Sequence, residues 1–111
     1  MPSVWLMKGI PWGTMIDFEW DPAKARTNLR KHGVSFHAAA TVLRDPLGIT
    51  IYDPDPPEEE DRYLTIGTSG GGRLLMVSHT ERGDHVRIIS ARELTRTERE
   101  AYESEITRRK G

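Results

Sequence analysis

The run His85-Val86-Arg87-Ile88-Ile89-Ser90-Ala91-Arg92-Glu93-Leu94, continued by Thr95-Arg96-Thr97-Glu98, decides the fold. It reads as an apolar β-strand over His85–Ala91 that ends in an arginine and turns at once into a helix. Thr95 followed by Glu98 is a capping box, and the helix it opens extends to about Arg109 on a thin apolar stripe of Leu94, Ala101 or Tyr102, and Ile106. Two arginines bracket the strand. Their guanidinium groups are always charged and forked, which suits them to holding a phosphate.

Arg87 and Arg92 are separated by an odd number of residues, so a regular strand puts them on opposite faces. They converge only if Arg92 lies past the strand end or a bulge intervenes. Arg92 then sits near the opening of the last helix, where backbone N–H groups and the helix dipole favour an anion. The plainer alternative is that Arg87 pairs with an acid such as Glu98 and Arg92 is an ordinary surface charge.

Working upstream, Arg62–Thr68 and Arg73–Thr80 read as strands joined by a hairpin turn at residues 69–72, and Glu81–Asp84 as a second turn. Leu47–Asp53 is a further strand. The prolines at 54, 56 and 57 make the acidic stretch after it a loop. Ile16–Trp20 alternates like a first strand. Asp21-Pro22 is a helix start, with Asp as N-cap and Pro at the first helical position. That helix runs from about Pro22 to His32 and stops at Gly33, with Ala25, Leu29 and His32 on one stripe and Lys24, Asn28 and Lys31 on a polar one. Ser35 caps a second helix to about Arg44, with Phe36, Ala39, Ala40 and Leu43 inward. The order β-α-α-β-β-β-β-α makes an α+β domain: a small antiparallel sheet with two N-terminal helices and one C-terminal helix.

Residues 16–111 therefore form a single domain, and 111 residues allow one modest core. Residues 1–15 fit no period; they are a loose extension, or Met15 is the true start. The first eight residues lack a signal-peptide pattern and no window reaches the length of a membrane span. With no cysteine, disulfides and thiolate chemistry are excluded, which suits a cytoplasmic setting.

A net charge of −1 hides a strong separation. Residues 53–61 carry six acids and no base, and the rest of the chain sums to +5. Residues 24–44 carry Lys24, Arg26, Arg30, Lys31 and Arg44 and no acid. Local potential, rather than net charge, steers a polyanion, although two ordinary solvated surfaces would give the same pattern. The histidines His32, His37, His79 and His85 match no zinc signature, so no metal or cofactor is expected. His79 shares a strand face with Leu75 and Val77, as a core-edge residue or a proton-transfer group; His37 and His85 read as structural. Gly70–Gly72 lacks the lysine and helix of a phosphate loop. Tyr63 and Tyr102 suit base stacking or packing.

Several segments resemble the BrnT family. Phe18-Glu19-Trp20-Asp21, Lys24 and Asn28–Phe36 resemble its opening signature, and Asp61-Arg62-Tyr63 with Ile66-Gly67 its central strand, where Asp61 replaces the usual glutamate. Leu75–Gly83, Arg87–Arg92, Glu98 and Tyr102 resemble its last segments, so the likeness covers about residues 16–105 in order. The resemblance implies a RelE-like fold and the toxin half of a type II toxin–antitoxin pair. It implies an endoribonuclease that arrests translation and growth, is neutralised by a BrnA-type ribbon-helix-helix antitoxin, and meets operator DNA only through that complex.

Metal-independent RNA cleavage needs a base, an acid and cations around the pentacoordinate phosphate. On this reading Arg62, Arg87 and Arg92 take the phosphate, His79 or His32 transfers protons, and Lys24, Arg30, Lys31 and Tyr63 grip the neighbouring RNA. The alternative is a non-catalytic RNA- or protein-binding module that uses the same basic face.

Overall fold

A computed structural model describes residues 17–53 and 61–110; the expectations for residues 1–15 and for most of the acidic loop lie outside the described residues. In chain order the elements are β1 (Asp17–Glu19), α1 (Pro22–His32), α2 (Phe36–Val42), β2 (Ile49–Tyr52), β3 (Tyr63–Thr68), β4 (Leu74–Arg82), β5 (His85–Glu93) and α3 (Arg96–Lys110). The α+β order read from the sequence holds, with differences at the edges.

The strands form one sheet in the order β1-β5-β4-β3-β2. Neighbours are antiparallel except that β1 adds to β5 in parallel, pairing Glu19 with Arg87. A parallel neighbour needs a crossover, and the two N-terminal helices with the β2–β4 meander supply it. The last two strands run further than the apolar pattern suggested: β4 continues to Arg82 and β5 to Glu93. Backbone pairing extends a hairpin through polar residues, so the second turn shrinks around Gly83.

Helices α1 and α2 cover one face of the sheet. Val34, Phe36, Ala39, Val42 and Leu43 pack there against Leu75, Val77, Val86, Ile88 and Ala91. The caps act as the sequence implies: Asp21 accepts from Ala23 N, Ser35 accepts from Ala38 N, and Gly33 ends α1 at φ 68°. At Gly67 a Cβ would lie 3.0 Å from Asp45 Oδ2, and that carboxylate oxygen accepts from Thr68 N, so the loop after α2 closes tightly on β3.

The inward stripe of α1 is corrected. Leu29 is 52% exposed and His32 is exposed, whereas Asn28 is buried. Asn28 Nδ2 donates to Val34 O (3.0 Å) and Ala91 O (2.8 Å), and its Oδ1 accepts from Ala91 N (3.1 Å). One buried amide thus ties α1 to the loop after it and to β5, with its donors and acceptor used.

Candidate functional site

The second face of the sheet carries the arginines. Val86 and Ile88 point to the core, and so does Ala91, an odd step further along. The pairing explains this: Ser78 pairs with Ser90 and His79 with Ile88, so Ile89 is an extra residue in β5. That bulge restores phase, and Arg87, Ser90 and Arg92 all leave the face opposite α1 and α2. Arg87 and Arg92 therefore share a face by the bulge route, one of the two conditions read from their spacing. Met76, Ser78 and Thr80 lie across from Arg92, Ser90 and Arg87 on β4. Arg62, one residue ahead of β3, falls by alternation on the same face; its Nε is buried without a hydrogen-bond partner among the described residues.

Each of the two strand arginines is held by a glutamate, though not in the arrangement that the plainer reading gave. Arg87 Nη1 donates to Glu19 Oε2 at 3.0 Å, across the parallel pair. Arg92 makes a two-pronged contact with Glu98: Nη1 to Oε1 at 2.8 Å and Nη2 to Oε2 at 2.9 Å. Arg92 Nη1 also donates to Glu93 O, and Nη2 rests on Met76 Sδ. Glu98 Oε1 accepts from Thr95 N while Glu98 N donates to Thr95 Oγ1, completing the capping box. The Arg92 fork and the capping hydrogen bonds hold the Glu98 carboxyl down at about 2, so it is ionised at any working pH. The helix-opening position at which an anion was expected is filled by the chain's own carboxylate.

The remaining expected residues do not join this group. His79 is fully buried on the helix-covered face, where Nε2 bonds Thr65 Oγ1 at 2.8 Å and the ring stacks on Tyr63. Burial drives its pKa down to about 4, so it is neutral and out of contact with solvent, which does not fit proton transfer to RNA. Tyr63 lies on that same face by register with His79. His32, Lys24, Arg30 and Lys31 are exposed on α1, which Asn28 fastens along the outer edge of β5 and off the arginine face. His37 packs edge-on against Trp20 as a structural residue.

Two groups that sequence reasoning left out do reach the arginine face. Glu19 arrives through the parallel β1–β5 pairing, which no local pattern announces. His85, read as structural, shares a face with Arg87, pairs in register with Arg82, and has Nδ1 3.7 Å from Asp17 Oδ2. The face as a whole offers fixed guanidinium groups, hydroxyls at Ser78 and Ser90, and a carboxylate and an imidazole that are open to solvent. Such a surface can hold a phosphodiester and move protons beside it.

A protein-family model described as "Ribonuclease toxin, BrnT, of type II toxin-antitoxin system" matches residues 20–98. Among solved structures, the ribonuclease toxin BrnT of Brucella abortus is similar at 24% identity, with a TM-score of 0.57, over 74% of this chain and 100% of that one. At that identity the likeness speaks to the fold. A search of curated proteins finds no match. The family match spans well over half of the residues, including the bulged strand and the capping box: the chain belongs to the BrnT family of toxins of type II toxin–antitoxin systems.

Proposed function

We propose that this protein is an endoribonuclease toxin that cleaves RNA without a metal ion, through attack of the 2′-hydroxyl on the adjoining phosphate. The observation that supports this is the bulge at Ile89, which brings Arg87 and Arg92 to one face of the sheet, opposite the helical core, with Arg62 alongside. Three permanent cations stand where a pentacoordinate phosphate develops negative charge and stabilise it. In the step, the 2′-oxygen bonds to phosphorus, the P–O5′ bond breaks, and a 2′,3′-cyclic phosphate results. One proton leaves the 2′-oxygen and one reaches the departing 5′-oxygen.

The proton carriers are assigned to the arginine face, in place of His79 and His32. Glu19, partly exposed and held by Arg87, is the base; His85, beside Asp17, is the acid. The partner is an antitoxin, as a type II toxin requires. We assign it to the BrnA type with a ribbon-helix-helix part, which carries the complex to operator DNA.

The deciding experiment is RNA cleavage by the purified, antitoxin-free protein in EDTA, beside Arg92→Ala. Cleavage by the parent, with cyclic-phosphate ends, and a loss of about 10²–10³-fold in the variant are expected, the size seen when one stabilising donor is removed. Normal cleavage by Arg92→Ala places the site elsewhere. A second reading, a non-catalytic binding module, draws support from the burial of His79; RNA binding without any cleavage by the folded parent would establish it.

A further inference from the structure

Helix α1 carries a charge pattern that the fold does not use. Lys24, Arg26, Arg30 and Lys31 are all exposed, and among the described residues no carboxylate lies within ion-pair distance of any of them. At about 100° per residue they spread over one half of the helix, from the flank of Asn28 round to the crest opposite it. The placement works against the helix. Its first turn holds no acid, and Lys24 stands there, where the positive end of the dipole disfavours a cation. Arg26 and Arg30 are like charges one turn apart. Arg30 and Lys31 suit the C-terminal end, but Lys24 and Arg26 have no structural return. A local rule broken without compensation in the fold marks a surface kept for binding.

We infer that this outward half of α1 is a second RNA-backbone surface. It docks the phosphates of a folded RNA whose scissile strand lies on the arginine face. The occupant follows from charge complementarity: four long cations, unpaired among the described residues and with no aromatic among them, fit a run of phosphates rather than bases. The two surfaces point different ways: Asn28 fastens α1 along the outer edge of β5, through the N–H and C=O of Ala91, while Ser90 and Arg92 leave the face opposite the core. A short single strand on the arginine face therefore leaves the cations of α1 unused, whereas a bulky folded RNA reaches round the β5 edge to both. The inference rests on the RNA-cleaving reading above and names the kind of substrate that reading takes, a structured RNA.

The test uses 2′-O-methyl RNA, which lacks the nucleophile, so that affinity is read without turnover. The full-length protein is compared with a variant carrying Lys24→Gln, Arg26→Gln, Arg30→Gln and Lys31→Gln, on a two-turn hairpin and on a single-stranded pentanucleotide. The hairpin is expected to lose roughly 10- to 100-fold in affinity, with the slope of log K on log salt smaller by about 3, and the pentanucleotide far less. In parallel, Lys24→Glu with Arg26→Glu is expected to raise the melting temperature while weakening the hairpin. An unchanged hairpin affinity and slope overturns the inference. So does an equal loss on both RNAs, which would put α1 and the arginines on one strand. A fall in melting temperature with the glutamates would make the charges structural. Loss of antitoxin binding alone would make the surface a protein interface, and an equal grip on duplex DNA would remove RNA as its occupant. If the parent cleaves nothing, the ribonuclease reading fails, and the hairpin measurement still decides this one.

Discussion

The two faces of this molecule treat positive charge in opposite ways. On the arginine face of the sheet, Arg87 and Arg92 are each fixed by a glutamate at 3.0 Å or less. On α1, four cations stand free of any carboxylate among the described residues. A paired arginine has lost its side-chain freedom already, so it presents donors at a set place. An unpaired lysine or arginine keeps that freedom and acts as a diffuse positive potential, strong at a distance and indifferent to exact geometry. Precision in front and attraction behind suit an enzyme that must first find a polyanion and then hold one phosphate in register.

The sharpest way to break this comparison is to keep the charge and change its shape. Arg87→Lys and Arg92→Lys retain a cation but lose the fork, and each is expected to lower RNA cleavage by about 100-fold, near the cost of a lost transition-state donor. Arg30→Lys on α1 is expected to leave hairpin affinity within about twofold, because only charge matters there. Cleavage rates and hairpin affinities of the three variants check both halves. Equal tolerance on the two faces would abolish the distinction.

Asn28 is the joint between the faces. Asn28→Ala leaves Ala91 N, Ala91 O and Val34 O buried without their partner, and a loss of about 3 kcal/mol in urea unfolding is expected. Cleavage should fall too, since Ala91 sits between Ser90 and Arg92 and its release lets the bulge slip. A large stability loss with full activity would show that the bulge holds its phase without α1.

His79 separates the stability of the core from the chemistry of the arginine face by pH. Its imidazole is neutral when folded, with a pKa lowered to about 4 by burial, against an ordinary value near 6.5. Above 6.5 neither state is protonated; as pH falls from 6.5 to 4 the unfolded chain takes up the proton and the folded one does not. Stability is therefore complete above 6.5 and declines by roughly 3 kcal/mol towards pH 4. Urea midpoints of the parent and of His79→Gln across this window check it, because the variant should lose this part of the slope. A midpoint that does not move in the parent would place water or a proton at His79.

Most of this architecture was legible in local chemistry. Asp21, Gly33, Ser35 and the Thr95–Glu98 box each mark a helix end through a side chain or backbone conformation confined to a few neighbouring residues, and all four act where the sequence put them. What local pattern could not show depends on distant partners. Leu29 looked inward by apolarity, but the buried position goes to Asn28, because Val34 and Ala91 present three backbone groups that only an amide satisfies together. The same limit governs the site. Glu98 was read as a partner of Arg87 but is taken by its neighbour Arg92, and the arginines' convergence was conditional on a bulge, whereas Glu19 depends on a parallel pairing across 68 residues. His79 was a true ambiguity: its face was readable from Leu75 and Val77, but its complete burial was not.

The smallest expected effect probes how the front face stays fixed. Thr95→Ala removes the hydroxyl that accepts from Glu98 N, while leaving the Thr95 N–H that donates to Glu98 Oε1. A loss of about 1 kcal/mol is expected from the missing cap, read in urea unfolding. The Arg92–Glu98 fork remains, so cleavage should change by less than about threefold. That fork also has a pH signature of its own. The Glu98 pKa is depressed, so the stability it adds is complete above about pH 4.5 and lost as pH falls towards 2. Half-exposed as the pair is, its contribution is about 1 kcal/mol after solvent screening. In Thr95→Ala that acid-side decline should persist almost unaltered, because the arginine, the largest of its causes, is still in place. A decline that vanished with the hydroxyl would mean that the helix cap, rather than the arginine, holds the carboxylate, and the fixed geometry credited to Arg92 would then belong to the start of α3.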